Sequence, residues 1–173
     1  MAIDPVYRTT RGLTDEVRDR MSKEGNAILA TIGEDGSPHL TELLFMLDEH
    51  DRVLLPTPHN TRKLRNVRAR PIATAFFHER PGWVSCTGTV EVLAGDEAES
   101  TNQRIREHLL TESGLQTIGR VLAAHEDTTI VLSPTKWLSW SGEATMASVI
   151  QMDADLEANP PDTWFRDLSK PTG

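Results

Sequence analysis

Runs of apolar residues of strand length, separated by short polar turns, dominate the first half of the chain. They predict five strands, over 27–32, 39–47, 52–57, 72–78 and 83–93. The turns after the first two strands are Gly33–Gly36 and Asp48–Asp51, which are short enough to join antiparallel neighbours. This pattern predicts an antiparallel meander rather than alternating strand and helix units.

Apolar residues at helical spacing occur in four further segments. They predict helices over 13–24, from Asn60 or Thr61 to the residue before Pro71, over 96–110 and over 115–124. Closing strands are predicted at 128–132 and 136–140, with a further strand at 146–151. These strands with the inserted helices predict a mainly β fold, a small antiparallel barrel with a helical excursion at about 96–125.

The composition of the chain changes near residue 152, and this change predicts where the folded domain ends. We expect 1–152 to form a single domain and 153–173, which is polar, acidic and proline-containing, to form a loose or partner-docked tail. No apolar stretch has the length of a membrane span, and the N-terminus has no apolar signal core. We therefore expect a cytoplasmic protein without a membrane partner.

Composition narrows the chemistry further. The 173 residues are 38% hydrophobic and 25% charged, as in an ordinary globular protein, and the net charge of -8 argues against nucleic acid as the partner. The single cysteine, Cys86, lies on a predicted strand and is expected to be a buried, unreactive thiol. The six histidines lack the spacing of zinc ligands, so no metal site is predicted.

Common catalytic motifs are absent from the sequence. It contains neither GxxxxGK[ST] nor GxGxxG, the two phosphate-cradling loops of nucleotide enzymes, and no GxSxG nucleophile elbow. No catalytic residue can be assigned on these grounds.

The strongest chemical signal is a cluster of cations in an otherwise acidic chain. Five of them fall within nine residues: Arg62, Lys63, Arg65, Arg68 and Arg70. The segment begins at a predicted helix N-terminus, whose free amides favour phosphate, and Arg and Lys are the usual side chains for phosphate capture. Two interpretations remain open here: an anion site, or a solvated helix face paired with the protein's own acids.

The ordered series of segments around this cluster resembles a known family. The matching pieces are 29–32 (LATI), 35–39 (DGSPH), 40–45, 53–57, 61–71 (TRKLRNVRARP), 72–77 and 81–93. At these residues the sequence resembles the pyridoxamine 5'-phosphate oxidase-like split barrels, which bind FMN or the deazaflavin coenzyme F-420. The resemblance implies a six-stranded antiparallel split β-barrel and a homodimer with cofactor at the subunit interface.

The resemblance also implies roles for particular residues. Arg62 and Lys63 match the pair that grips the cofactor phosphate, and Thr57 matches a further phosphate or ring contact. The strand after the first turn would contact the ring through His39, Thr41 and Leu43. The remaining implied contacts are Thr61, Arg65, Asn66 and, where some members place an aromatic near the cofactor, Trp140.

The K-x-R-N motif of Lys63–Asn66 resembles the F-420 branch of the family. Arg65, Arg68 and Arg70 could pair with the several negative charges of that coenzyme's tail. Two departures, Thr61 and Arg70, count against that branch, so F-420 is only slightly ahead of FMN.

The implied function is an oxidoreductase that transfers a hydride to a small conjugated acceptor, with the proton coming from solvent. Two alternatives stay open: a non-catalytic FMN- or haem-binding sensor or carrier, and a cofactor-free interaction domain whose basic helix docks an acidic partner. Pyridoxamine-phosphate oxidase activity itself is not expected, because the C-terminal arginine-histidine substrate motif of that enzyme is missing.

Overall fold

The computed structural model describes residues 8–10, 12–22, 25–79, 82–122, 127–152, 156 and 158. Within them lie eight strands: β1 (Arg8–Thr10), β2 (Asn26–Ile32), β3 (Pro38–Leu44), β4 (Met46–Leu47), β5 (Val53–Pro58), β6 (Ile72–Glu79), β7 (Gly82–Leu93) and β8 (Asp127–Ser141). The helices are α1 (Asp15–Met21), α2 (Arg62–Ala69), α3 (Gly95–Leu109), α4 (Glu112–Leu122) and α5 (Gly142–Met152). Of the predicted tail, 153–173, nearly all lies outside the described residues.

All strands belong to one antiparallel sheet with the order β3-β2-β6-β7-β8-β5-β4, and β1 also pairs with β8. Strands β3 and β4 stand at opposite edges of this order, yet Phe45 alone separates them along the chain. The sheet must therefore curl until its two edges approach each other, because one residue spans less than about 4 Å. The predicted mainly β, antiparallel barrel with helices is confirmed, with eight described strands instead of six.

Three local predictions are wrong, each for a physical reason. The strand predicted over 39–47 is interrupted at Phe45, whose ring is 1% exposed and whose amide donates to the carbonyl of Gly25. The segment 146–151 is not a strand but part of helix α5, because its apolar residues suit a helix equally well. The two closing strands are one long strand, β8.

Strand β8 continues through Pro134 because Gly88 and a register shift in the neighbouring strand β7 accommodate the proline. Pro134 pairs with Gly88 of β7 beside a register shift, and a Cβ added to Gly88 would lie 2.0 Å from the carbonyl oxygen of Ser133. Only glycine permits this approach, and the bulge accommodates the missing proline N–H.

The core lies inside the curled sheet. Its largest fully buried side chains include Leu29, Phe45, Leu55, Leu64, Phe77, Ile130 and Leu132, and Cys86 lies among them at 1% exposure. Burial raises the pKa of the Cys86 thiol to about 12, so the predicted inert thiol is confirmed.

A smaller apolar cluster lies outside the main core. It joins Ile105 of α3 to Leu54 and Val131, so the predicted helical excursion covers the side of β5 and β8. Among the described residues, no helix has the length and apolar character needed to cross a membrane.

Candidate functional site

The basic segment folds as helix α2, directly after β5. Its buried side presents Leu64 and Val67 to the core, whereas Arg62, Arg65 and Arg68 are exposed. This apolar spacing of three fixes which side faces inward, so the cations are spread around the outer surface and the N-terminal end.

The N-terminus of α2 is unusually free of negative charge. Its first turn contains no acidic residue and two cations, Arg62 and Lys63, although the positive end of a helix favours Asp and Glu. Thr61 is the N-cap, but among the described residues no side chain caps the helix. Its hydroxyl lies 3.2 Å from the hydroxyl of Thr57. This end therefore carries free amides and positive charge together, as a phosphate site requires.

Lys63 is the key residue of this arrangement. It is only 7% exposed, and no ion pair or hydrogen bond joins its ammonium to any other described residue. Desolvation lowers the pKa of Lys63, and no neighbouring carboxylate compensates. A largely buried lysine without a described partner is unfavourable, and an anionic ligand would supply the missing charge.

A cleft of about 330 Å³ borders the exposed side of the helix start. Arg62, Arg65 and Asn66 line one wall and the turn residues Gly33–Asp35 line the other. Arg65 also donates to the carbonyl of Asn60 at 3.1 Å. The turn reverses at Gly36, whose φ of +82° favours glycine.

Asp35, on the far wall of this cleft, is exposed and well supported by its own turn. The hydroxyl and amide of Ser37 donate to its carboxylate at 2.6 and 3.0 Å and lower the pKa of Asp35. The charge of Arg62 lowers it further.

Asn66 links α2 to the strands beneath it. Its Nδ2 donates to Thr31 Oγ1 at 3.0 Å, and the Thr31 hydroxyl lies 3.5 Å from the carbonyl oxygen of His39. His39 Nδ1 is in turn 3.4 Å from Thr41 Oγ1. The predicted contacts Asn66, His39 and Thr41 thus belong to one polar series that fixes the helix to β2 and β3.

Leu43 and Trp140 complete the predicted set, with different outcomes. Leu43 lies on the same side of β3 as His39 and Thr41 and packs against the core. Trp140 is half-buried and pairs with Trp83, near the end of the sheet that holds Asn26, whereas Thr31 is at the opposite end of β2. Within one chain Trp140 therefore lies away from the start of α2, and its contact with the cofactor stays a prediction.

Arg70 has a structural role, although its place in the basic cluster suggested an anion-binding one. Its guanidinium donates to the carbonyls of Gly33 and Glu34 at 2.7 and 3.4 Å, so it ties the turn to the end of α2. It serves the architecture of the cleft rather than adding a free cation. Thr31, Glu34 and Asp35 were not anticipated as site residues, since nothing in the local sequence shows that α2 packs beside their turn.

Metal coordination finds no support in this part of the chain. Within the described ranges, no three His, Cys, Asp or Glu side chains are grouped closely enough to hold a metal ion.

Comparison with known proteins agrees with the fold. A conserved hypothetical protein of Mycobacterium tuberculosis is 19% identical, with a TM-score of 0.65 over 90% of this chain and 94% of that one. A protein named F420 reductase is 18% identical, with a TM-score of 0.56 over 72% of this chain and 98% of that one. A pyridoxamine 5'-phosphate oxidase-related, FMN binding protein of Nostoc punctiforme is 15% identical, with a TM-score of 0.50 over 66% and 74%.

Sequence comparison identifies the family. A pyridoxine/pyridoxamine 5'-phosphate oxidase of Myxococcus xanthus is 30% identical over 100 residues, 56% of this chain and 48% of that protein. The chain spans about half the length of the curated relatives it matches. The family profile described as pyridoxamine 5'-phosphate oxidase matches residues 13–141, most of the chain. This protein therefore belongs to the pyridoxamine 5'-phosphate oxidase family.

Proposed function

We propose that this protein is an oxidoreductase that binds a flavin-type cofactor with the cofactor's phosphate at the first turn of α2. The observation that carries the proposal is Lys63, a residue only 7% exposed whose ammonium has no partner among the described residues, beside a helix N-terminus without a side-chain cap. The donor set suits a phosphate: Lys63 offers a point charge, Arg62 a planar fork, and the helix its amides.

The cofactor is F-420 or FMN, and two observations bear on the choice. Arg65 and Arg68 are exposed and form no ion pair with a described carboxylate, so they are available to a tail carrying several charges. Arg70 is engaged by the turn, which removes one of the three cations that favoured F-420. Family neighbours include one named F420 reductase and one named FMN binding, so F-420 stays first and FMN is the alternative.

When bound, the reduced cofactor supplies a hydride to a small conjugated acceptor. The chain positions the two molecules, which lowers the barrier by restricting their motion. His39, Thr41 and Leu43 lie together on one face of β3 and would border the ring. The single proton that completes the reduction comes from solvent.

We also propose that two copies associate through the outward face of β3, β2 and β6. Four aliphatic side chains are exposed there by 38 to 62%: Ile28, Ile32, Leu40 and Ile72. The register places Leu40 beside Ala30, between the two β2 isoleucines, so they form one continuous apolar patch. A second copy presenting the same patch would cover it symmetrically.

Light scattering tests this association. The protein should have the mass of a dimer and Leu40→Asp that of a monomer, because a charge in the centre of an apolar contact is strongly unfavourable. The exposed change Gln103→Asp on α3 is the matched control and should remain dimeric. A monomeric unsubstituted protein at high concentration contradicts the proposal.

The cofactor proposal is tested by titrating the purified protein with F-420 and with FMN while recording absorbance and fluorescence. The double variant Arg62→Ala/Lys63→Ala should bind at least about 100-fold more weakly, because each charged hydrogen bond contributes about 1.5–3 kcal/mol. Its thermal unfolding should be nearly unchanged. Arg104→Ala, which removes an exposed cation from α3, should leave the affinity unaltered.

Equal affinity in the double variant would overturn the phosphate assignment. Turnover with the reduced cofactor and a panel of conjugated acceptors then separates an enzyme from a carrier. A protein that binds neither cofactor would instead support a cofactor-free interaction domain.

A further inference from the structure

The barrel is not closed between β3 and β5, although these two strands lie side by side. Strand β3 is the first strand in the sheet order, so on one of its sides no described strand pairs with it. Its residues nevertheless approach those of β5. Strand β5 pairs with β4 at Val53 and Leu54, and residues 55–58 continue without a described partner on that side. We call the gap between β3 and residues 55–58 the seam.

The main-chain groups of β3 that face the seam follow from the hydrogen bonding of Phe45. Its amide donates to the carbonyl of Gly25, at the start of β2. In an antiparallel pair, successive residues direct their main-chain groups alternately toward the neighbouring strand and away from it. The odd-numbered residues of this stretch therefore face β2. The amides and carbonyls of Glu42 and Leu44 face the seam.

Two prolines of β5 lie where the pairing with β4 would continue into β3. Extended in the same register, that pairing sets Leu44 opposite Pro56. Two residues further on, it sets Glu42 opposite Pro58. Because Leu44 and Glu42 direct their main-chain groups into the seam, each pair would need two hydrogen bonds, one of them donated by the residue of β5. Proline has no N–H, so this donor is missing from both pairs, and the pairing stops at Leu54.

We propose that Pro56 and Pro58 are positioning residues that keep the seam open, so that the main-chain groups of Glu42 and Leu44 stay available to the ring of the cofactor. This inference rests on the proposed function, in which the ring lies along β3. The rings of both candidate cofactors carry carbonyl and N–H groups at one edge, and an unpaired strand offers the complementary donors and acceptors. The two prolines act through the width of the seam and need not touch the ring.

The seam suits a flat ring better than an added peptide strand. A strand inserted between β3 and β5 would have to pair on both sides, as the inner strands of a sheet do. On the β5 side it would find no amide donor at Pro56 or Pro58. A ring that uses only the β3 side loses nothing by the absence of these donors.

Restoring the missing donors tests this role. In Pro56→Val/Pro58→Val, the new N–H groups can donate to the carbonyls of Leu44 and Glu42, so the pairing extends and the seam closes. Titration with F-420 and with FMN should show binding at least about tenfold weaker than in the unsubstituted protein, because two hydrogen bonds must break before the ring enters. Each single variant restores one donor and should show a smaller loss, so the test does not depend on the double variant alone.

A second measurement needs no ligand. Amide hydrogen exchange at Glu42 and Leu44 should be slower in the proline variants, because these amides become hydrogen-bonded across the seam. The matched control is Pro38→Val, which adds an N–H to the same edge of β3. The extended register sets position 38 opposite Arg62, which is already helical, so no strand accepts the new hydrogen bond. This control should change neither the exchange nor the cofactor affinity.

Three outcomes overturn the inference. If the unsubstituted protein binds a cofactor and the proline variants bind it equally well, the seam does not admit the ring. If exchange at Glu42 and Leu44 is unchanged in the variants, the prolines do not keep the two strands apart. If the unsubstituted protein binds neither cofactor, the proposed function fails first and takes this inference with it.

Discussion

Two regions of the chain, the turn between β4 and β5 and the start of α2, differ in whether a cation has a carboxylate partner. At the turn between β4 and β5, Arg52 Nε donates to Asp48 at 2.7 Å and its Nη1 lies 3.3 Å from Glu91. At the start of α2, Lys63 is more deeply buried and has no carboxylate within ion-pair distance among the described residues. A cation with internal partners serves the fold, whereas a largely buried lysine without a described partner is available to a ligand from outside.

Asp48, in the turn between β4 and β5, shows how hydrogen bonds offset the cost of burying a charge. Burial alone raises the pKa of Asp48, but hydrogen bonds from the Arg52 side chain and from the amides of Arg52 and His50 outweigh it, so the pKa is lowered. Arg106 and Asp127 form another internal ion pair, which joins α3 to β8 at 2.7 Å. No comparable partner of Lys63 is found in the part of the chain that the structure describes, and desolvation lowers the pKa of Lys63.

The largest expected effect is a pH dependence of anion binding that comes from Lys63. An anion binds the protonated amine, so sulfate affinity should be constant below the Lys63 pKa. Above that pKa it should fall by up to about tenfold per pH unit. Because burial lowers this pKa from its ordinary value of 10.5, the decline begins at a lower pH than for an exposed lysine. Calorimetric titration with sulfate at a series of pH values measures it.

The control for this prediction is Lys63→Arg, whose guanidinium stays protonated over the whole range and should abolish the decline. The ligand-free protein should show the opposite trend. Its unfolded state binds the proton more tightly, so stability rises with pH between the folded and unfolded pKa values. A pH-independent affinity in the unsubstituted protein would contradict the assignment of Lys63.

A smaller effect is expected at the compensated turn. Arg52→Gln should lower the free energy of unfolding by about 1 kcal/mol, because Asp48 loses one charged hydrogen bond but keeps two amide donors, and Arg52 is partly exposed to solvent. Cofactor and phosphate affinity should be unaltered. Urea denaturation measures the free energy of unfolding, and the cofactor titrations described above measure the affinity. A loss of affinity without a loss of stability would contradict the view that Arg52 serves the fold and Lys63 a ligand.

The sequence predicts the parts of the fold that short-range patterns determine. Helix α2 follows from the candidate N-cap residues Asn60 and Thr61 and from Pro71 beyond its end, and it forms where predicted. Strand β2 follows from its short apolar run, and the turn after it from Gly33–Gly36. The basic cluster could also be recognised as a candidate anion site, because its charges are dense and lie at a helix start.

What the sequence could not reveal depends on contacts between distant segments. Asn66 meets Thr31, 35 positions earlier, and Arg70 meets Gly33, 37 positions earlier, so neither role is visible locally. The burial of Lys63 arises only once α2 packs on the sheet. The distance of Trp140 from α2 likewise depends on the register between β7 and β8, which no local pattern determines.

Phe45 has a consequence for how this protein can vary in length. The chain passes from one rim of the sheet to the other in that single residue, and side chains alternate between inside and outside on both flanking strands. One inserted residue would reverse the inside and outside positions of one flanking strand. Either Leu43 and the other inward residues of β3 or the residues of the short strand β4 would then face the opposite side of the sheet. Insertions and deletions should therefore be tolerated in the α3–α4 excursion and strongly disfavoured at the Leu44–Met46 junction.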